Sequence, residues 1–117
     1  MNPTRKETLM PFQAYDVSLA LIRSLRDSLV KIAQHDRNLA DQIRRAAASV
    51  PLNLREGRGR VGRDRLHLWR VAAGSAEELV AAAQVAEAFG YVDDGELADA
   101  VALANRVLAM CWRLTHP

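Results

Sequence analysis

The sequence has few residues of several types, and each shortage excludes a class of protein. A single cysteine, Cys111, excludes a disulfide framework within the chain and fits a reducing compartment, so we expect a cytoplasmic protein. Apolar runs such as Leu79–Ala83 are far shorter than the roughly 20 residues that a membrane span needs. Asp16 and Arg23 interrupt the one N-terminal stretch that resembles a signal peptide. We therefore expect neither secretion nor a membrane partner.

Glycine, proline and aromatic residues are also scarce. The 117 residues include six glycines and four prolines, against 20 alanines and 15 leucines. Apart from Pro51 and Gly74, the glycines and prolines lie at the chain ends or between apolar segments, a distribution that favours long helices. No segment alternates apolar and polar residues as a half-buried strand does. The length suits one domain, because domains commonly have roughly 100–200 residues.

Apolar residues recur every three or four positions in four segments, as they do in amphipathic helices. We predict an all-α fold, an antiparallel up-down four-helix bundle over residues 11–117, preceded by a flexible tail over residues 1–10. The first three helices are expected at about residues 11–34, 37–56 and 64–89, with Gly90 just after the third. Asp93 and Glu96 match a capping box and predict the start of the fourth helix.

Pro51 lies inside the second predicted helix, and the apolar pattern continues beyond it to Leu54. A proline removes one helical hydrogen bond, so we expect a kink there, with Ser49 and Asn53 satisfying the freed backbone groups. The third helix carries the small residues Ala72–Ala76, which would let another backbone approach closely. Its apolar face is broader than one neighbour needs, which favours self-association.

Positive charge is concentrated in one part of the sequence. Residues 44–70 contain eight arginines and only two acids, a net charge of +6 in a chain whose net charge is +2. The guanidinium group of arginine binds phosphate or carboxylate through two parallel hydrogen bonds. The arginine cluster, our candidate nucleic-acid-binding set, consists of Arg44, Arg45, Arg55, Arg58, Arg60, Arg63, Arg65 and Arg70.

Two interpretations of the arginine cluster stay open. The cluster flanks the Gly57–Arg63 connection between the second and third helices, so most of its members should lie close together. They could bind the phosphate backbone of RNA or DNA without reading its sequence. Alternatively, they could neutralise acids elsewhere in the chain or on a neighbouring subunit. Trp69 is the first aromatic residue in the segment, so stacking on bases has little support.

Motifs for catalysis are weak. The glycines of Gly57–Gly62 spell GxGxxG, but a dinucleotide site needs a strand before that motif, and here a helix precedes it. Cys111 and the three histidines are too scattered to form a zinc site, so Cys111 is expected in the core. Glu77 and Glu78 point about 100° apart on a helix, and Asp93–Asp94 is explained by capping. We expect no enzyme activity, no cofactor and no metal site.

Two longer motifs resemble those of a known family. Residues Gln42–Gly57 read QIRRAAASVPLNLREG, and Ala72–Leu79 read AAGSAEEL. Both resemble signatures of the bacterial four helix bundle protein family, also called the 23S rRNA intervening-sequence protein family. The Gly90–Tyr91 turn is similar too, and the resemblance covers about residues 12–115. The related accessory variability determinant of diversity-generating retroelements shares the architecture.

The resemblance implies a bundle that assembles into a homopentameric barrel. It also implies a small non-enzymatic protein. Most family members have no known function, and some are encoded inside ribosomal RNA genes. The retroelement relatives bind nucleic acid and a reverse transcriptase through basic surfaces of the barrel. These are expectations carried by the likeness alone.

Several positions of this sequence match the motif residues of the family. The paired arginines are matched by Arg44 and Arg45, and the other structural motif positions by Pro51, Asn53, Glu56, Gly57 and Gly74. Arg55 departs from the usual alanine, and Arg65 stands where an aromatic residue is common. Both departures add positive charge to the junction. We expect Glu56 to pair with one arginine, and Arg45 is our prediction because it lies on the same helix.

The leading hypothesis is a cytoplasmic homo-oligomer that binds nucleic acid non-specifically through the arginine-rich junction, as an accessory factor. The alternative is a protein-interaction scaffold, for example an accessory subunit of a reverse transcriptase, with no direct role for nucleic acid. Salt discriminates between them, because added salt weakens contacts to phosphate steeply.

Overall fold

The computed structural model describes the backbone of residues 5–117 and the side chains from Gln13 onward. Within that part of the chain there are four helices and no strand, which confirms the predicted all-α bundle. The molecule measures 51 × 21 × 20 Å, and each helix packs against two others, as in an up-down bundle. The helices are α1 (Arg5–His35), α2 (Arg37–Arg58), α3 (Gly62–Ala88) and α4 (Ala98–Thr115).

The first helix begins earlier than the sequence pattern predicts. Of the predicted tail, residues 1–4 lie outside the described residues, and α1 starts at Arg5 rather than at Pro11. The residues that precede Pro11 are mostly good helix formers, and a proline removes only one hydrogen bond from a helix of this length. Among the described residues, no helix is both long and apolar enough to cross a membrane.

The buried face of α1 follows its apolar stripe only in part. The sequence places Tyr15, Leu19, Ile22, Leu25, Leu29 and Ile32 on one stripe of this helix. Of these, Leu25, Leu29 and Ile32 are buried as expected, but in the preceding turns the buried line passes through Ala14, Ser18 and Leu21. The hydroxyl of Ser18 donates to a backbone carbonyl one turn earlier, which lets this polar residue lie in the core. Many of the buried partners on α2, α3 and α4 are alanines, so the helices pack closely.

Helix α2 continues through Pro51, as predicted. Ser49 and Asn53, however, do not bond the backbone group that Pro51 leaves without a partner. The Nδ2 atom of Asn53 donates to the carbonyl of Ser49 at 2.8 Å and to its Oγ at 3.0 Å. The carbonyl that loses its helical donor at Pro51 is that of Ala47, four residues earlier, so the prediction for Ser49 and Asn53 is wrong. Ser49 instead joins two helices, because the hydroxyl of Ser75 on α3 donates to its Oγ at 2.8 Å.

The turn between α3 and α4 is longer than predicted. Gly90 follows the end of α3 as expected, but α4 begins at Ala98 and not near Asp93. Gly95 has a φ of 79°, in the left-handed region that breaks a helix, and this residue delays the start of α4. Half of the predicted capping box forms, because Glu96 Oε1 accepts from the backbone N–H of Asp93 at 3.2 Å.

Glu96 also ties this turn to α1. Lys31 Nζ lies 2.8 Å from Glu96 Oε1, and the Ser28 hydroxyl donates to Glu96 Oε2 at 2.7 Å. These hydrogen bonds, with Lys31 making the larger contribution, lower the pKa of the Glu96 carboxyl to about 2. The turn is thereby fixed at the end of the bundle opposite the arginine-rich junction.

Glu96→Gln is expected to flatten the acid dependence of stability. A carboxyl with a lowered pKa in the folded state stabilises the fold above the unfolded pKa of about 4.3, and this contribution is lost as the pH falls towards 2. Urea denaturation at pH 6 and at pH 3 measures the effect. The native protein should lose more stability between the two pH values than the variant, and equal losses would contradict the assignment.

Candidate nucleic-acid interface

The connection between α2 and α3 is shorter than the predicted Gly57–Arg63. Gly57 and Arg58 still belong to α2, and Gly62 already belongs to α3, so only residues 59–61 connect the two helices. The glycines were expected to end the helix because each is costly within one. Tertiary contacts at Gly57 overrule that preference.

Gly57 allows α2 and α3 to approach each other closely. A Cβ atom at this position would lie 2.7 Å from Cδ1 and Nε1 of Trp69, well inside contact distance. Trp69 is buried, and its indole N–H donates to the carbonyl of Leu54 at 3.2 Å. The family-motif glycine therefore serves helix packing, and the junction is held rigidly by an indole ring.

Arg65 closes the junction from the side of α3. Its Nε donates to the carbonyl of Gly57 at 3.3 Å and its Nη2 to that of Arg58 at 3.1 Å. The guanidinium carbon lies 5.3 Å from the centroid of the Trp69 ring. A cation on the last carbonyls of a helix is favourable both as a cap and for the helix dipole. Arg65, predicted to bind nucleic acid, is thus engaged in holding α2 against α3.

The other arginines near the junction point outward. Arg60 and Arg63 are exposed, and Arg58 is partly exposed. Arg60 Nη2 lies 3.4 Å from Glu56 Oε1, with both side chains about half exposed, and such pairs contribute little to stability. The predicted pairing of Glu56 with Arg45 is wrong, because eleven residues of helix place them about 16 Å apart along its axis.

Arg55 lies one turn before the end of α2, on the side of α1. Its guanidinium carbon lies 5.7 Å from the centroid of the Tyr15 ring, within the range of a cation–π contact. The side chain is exposed, so its charge adds to the positive field of the junction. Arg55, which stands where the family motif usually has alanine, therefore adds an exposed positive charge to the junction.

The remaining three members of the arginine cluster lie on α2 and α3 outside the three-residue connection itself. Arg44 and Arg45 lie near the middle of α2, about 20 Å from Arg58 along the helix. Arg44 pairs with Asp41 at 3.0 Å on the surface. Arg70 lies two turns into α3, where it faces a groove towards α4. The expectation that one bend brings the cluster together holds for five of its eight members.

Sequence reasoning missed residues that the fold brings to the junction end. Helix α4 runs in the same direction as α2, so its last turn lies beside the junction although about 50 residues separate them in sequence. This turn carries the exposed residues Trp112 and Arg113, and the exposed His116 follows it directly. The predicted topology already implied this position, because alternate helices of an up-down bundle end at the same side.

Cys111 faces the core between these exposed residues. It is fully buried, which confirms the predicted core position. Burial raises the pKa of its thiol to about 11, so the thiolate required for nucleophilic chemistry is scarce. In the part of the chain described by the structure, no three residues of the histidine, cysteine, aspartate and glutamate types lie close enough to hold a metal ion.

Known proteins similar to this chain agree on the fold. A solved structure from Bacteroides thetaiotaomicron, a protein of unknown function from the S23 ribosomal protein family, superposes with a TM-score of 0.76 at 16% identity, covering 89% of this chain and 99% of that one. No curated protein matches the sequence. The family model described as 23S rRNA-intervening sequence protein matches residues 12–113. The chain therefore belongs to the 23S rRNA-intervening sequence protein family, as its motifs indicated.

Proposed function

We propose that the protein binds nucleic acid non-specifically and without catalysing a reaction, as an accessory factor. The observation that carries the proposal is the grouping of Arg58, Arg60 and Arg63 around a three-residue connection whose geometry is fixed by Gly57 and Trp69. We call these three arginines the junction arginines. The family name supports RNA as the nucleic acid, because it refers to a sequence within 23S rRNA.

The physical basis is contact with phosphate. Guanidinium groups displace the cations condensed on a nucleic acid, and the release of those cations drives binding that is independent of sequence. Arg60 faces only weak competition for phosphate, since its ion pair with Glu56 is long and exposed. Phosphate can therefore replace it at little cost.

Self-association would strengthen this binding. Several large apolar side chains are exposed on the outside of the bundle, among them Val30 and Leu52 at 61% and 67%, and such surface favours contact with another copy. In the homopentamer implied by the resemblance, five junctions would act together, and several weak contacts would add up to a strong one.

The test is the triple variant Arg58→Ala, Arg60→Ala, Arg63→Ala. Its affinity for RNA is expected to fall on the order of 10- to 100-fold at about 0.1 M salt, because phosphate contacts are lost. The slope of log K against log salt should also decrease by about 0.9 for each contact removed from a duplex. Fluorescence anisotropy with a labelled RNA duplex, measured across a salt series, gives both quantities.

The matched control is Arg23→Ala, Arg26→Ala, Arg37→Ala. It removes the same charge from three exposed arginines on α1 and at the opposite end of α2. The control should keep most of the native affinity, and both variants should retain the native circular dichroism and sedimentation. Equal losses in the two variants would show a general charge effect. RNA binding that is insensitive to salt would instead favour the protein-interaction scaffold.

A further inference from the structure

An open groove lies between α3 and α4 beside the arginine-rich junction. Its volume is about 450 Å³, and its lining combines small, aromatic and charged side chains. The groove is lined by Arg70, Ala73, Gly74, Glu77, Leu108, Trp112, Thr115 and His116. We call it the α3–α4 groove.

Gly74 leaves bare backbone on one wall of the α3–α4 groove. A Cβ atom at this position would meet nothing within 4 Å, so no contact among the described residues requires a glycine here. A glycine within a helix is destabilising relative to alanine. The neighbouring small residues Ala72, Ser75 and Ala76 are buried, and Ser75 bonds Ser49 on α2, but Gly74 itself faces the groove. The space above Gly74 is therefore open to an external group.

Trp112 provides a flat aromatic surface at the α3–α4 groove. Its side chain is 61% exposed, and its ring stacks on that of His116 with centroids 4.4 Å apart and planes 9° from parallel. Nδ1 of His116 lies 2.9 Å from the carbonyl of Trp112, so the imidazole is tied to the same turn of helix. Trp69, in contrast, is buried and cannot stack on a ligand.

Arg70 and Glu77 place opposite charges on the lining. They lie seven residues apart on α3, hence on one face and about 10 Å from each other along the axis. Arg70 lies nearer the junction and suits a phosphate. Glu77 repels phosphate but accepts hydrogen bonds from the amino groups of cytosine and adenine. The pattern fits a nucleotide, with its phosphate towards the junction and its base deeper in the groove.

We propose that the α3–α4 groove holds an unpaired base of single-stranded nucleic acid, stacked on Trp112, while Arg70 contacts the neighbouring phosphate. The inference rests on the proposed function and specifies its substrate. Proteins that bind single strands combine a cationic path along the backbone with aromatic side chains that stack on bases, and here both features adjoin. A duplex keeps its bases stacked inside, so it can contact the arginines through its phosphates but cannot place a base on Trp112.

The test compares Trp112→Ala with the native protein on two probes of equal length. One probe is an unstructured 12-nucleotide RNA of adenine and cytosine, and the other is its duplex with the complementary strand. Loss of stacking should lower the single-strand affinity about 5- to 100-fold, while the duplex affinity stays within about twofold. Binding of the single strand should also quench the fluorescence of Trp112 in the native protein.

Phe89→Ala is the matched control, because Phe89 is equally exposed at 66% but lies at the other end of the bundle. It should leave both affinities unchanged. Gly74→Ala gives an independent test, since a methyl group there projects into the α3–α4 groove without a clash. It should raise Tm by a few degrees, as alanine favours the helix, and still weaken single-strand binding several-fold.

The outcomes separate the groove from the junction. If the native protein binds neither probe, the proposed function itself fails. If both probes bind and Trp112→Ala weakens neither, or weakens both equally, the α3–α4 groove is not a base site. A change of sedimentation in Trp112→Ala to a smaller species would mean that a second copy of the chain covers the groove, and this too would overturn the proposal.

Discussion

Replacing Gly57 by alanine is expected to lower the free energy of unfolding by about 2 kcal/mol. The new methyl group would lie 2.7 Å from two ring atoms of Trp69, and overpacking of a tight contact costs about 1–3 kcal/mol. The ring cannot move aside cheaply, because it is buried and its N–H bonds the carbonyl of Leu54. The cost is therefore at the upper end of that range, about 3 kcal/mol, and the better helix propensity of alanine, about 1 kcal/mol, reduces the net loss to about 2 kcal/mol.

Gly59→Ala is the control for this substitution. Gly59 lies two residues further along with a φ of −79°, and a Cβ atom there would lie 3.5 Å from the carbonyl oxygen of Glu56, an ordinary contact. Alanine at such a position is tolerated and reduces the entropy of the unfolded chain, so stability should stay equal or rise by up to about 1 kcal/mol. Urea denaturation compares the three proteins, and equal stabilities for the two variants would refute the packing role of Gly57.

The fold was largely predictable because periodicity reports directly on packing. Helix α2 starts at Arg37 as predicted, and its burial pattern at Ile43, Val50 and Leu54 follows the sequence. The fourth helix was misplaced because a capping box describes local hydrogen bonds only. Glu96 makes the expected local bond, but its other bonds go to α1, and Gly95 turns the backbone away from a helix.

The candidate site was predictable only in part, because closeness in sequence was used in place of closeness in space. Closeness in sequence does mean closeness in space for Arg58, Arg60 and Arg63, which lie in or next to one short connection. This relation fails for Arg45, which a helix carries away from the junction, and for Trp112, which a helix brings to it. The role of Arg65 was unpredictable for another reason, since its partners are backbone carbonyls, and these leave no trace in residue type.

Modification of Cys111 by a soluble disulfide reagent at pH 8 is expected to be at least about 1000-fold slower in the folded protein than in urea. Burial raises the pKa of this thiol to about 11, so at pH 8 the reactive thiolate is a few hundred times scarcer than on an unfolded thiol, whose pKa is about 8.5. The reagent is also kept out, because the side chain is fully buried. With an aromatic disulfide as the reagent, the absorbance of the aromatic thiol that it releases follows the reaction. A rate in the folded protein within tenfold of the rate in urea would contradict the core position of Cys111.

The same reaction links the core to the junction. Reaction of a fully buried thiol needs opening of the structure, so its rate follows the population of the open form when opening and closing are fast. Cys111 packs in one apolar cluster with Leu54 and Trp69, the residues that Gly57→Ala disturbs. A loss of about 2 kcal/mol should therefore speed the modification of Cys111 about 30-fold, whereas Gly59→Ala should leave its rate equal or lower. Acceleration by Gly57→Ala alone would show that the contact beneath the junction arginines belongs to the same cooperative unit as the core.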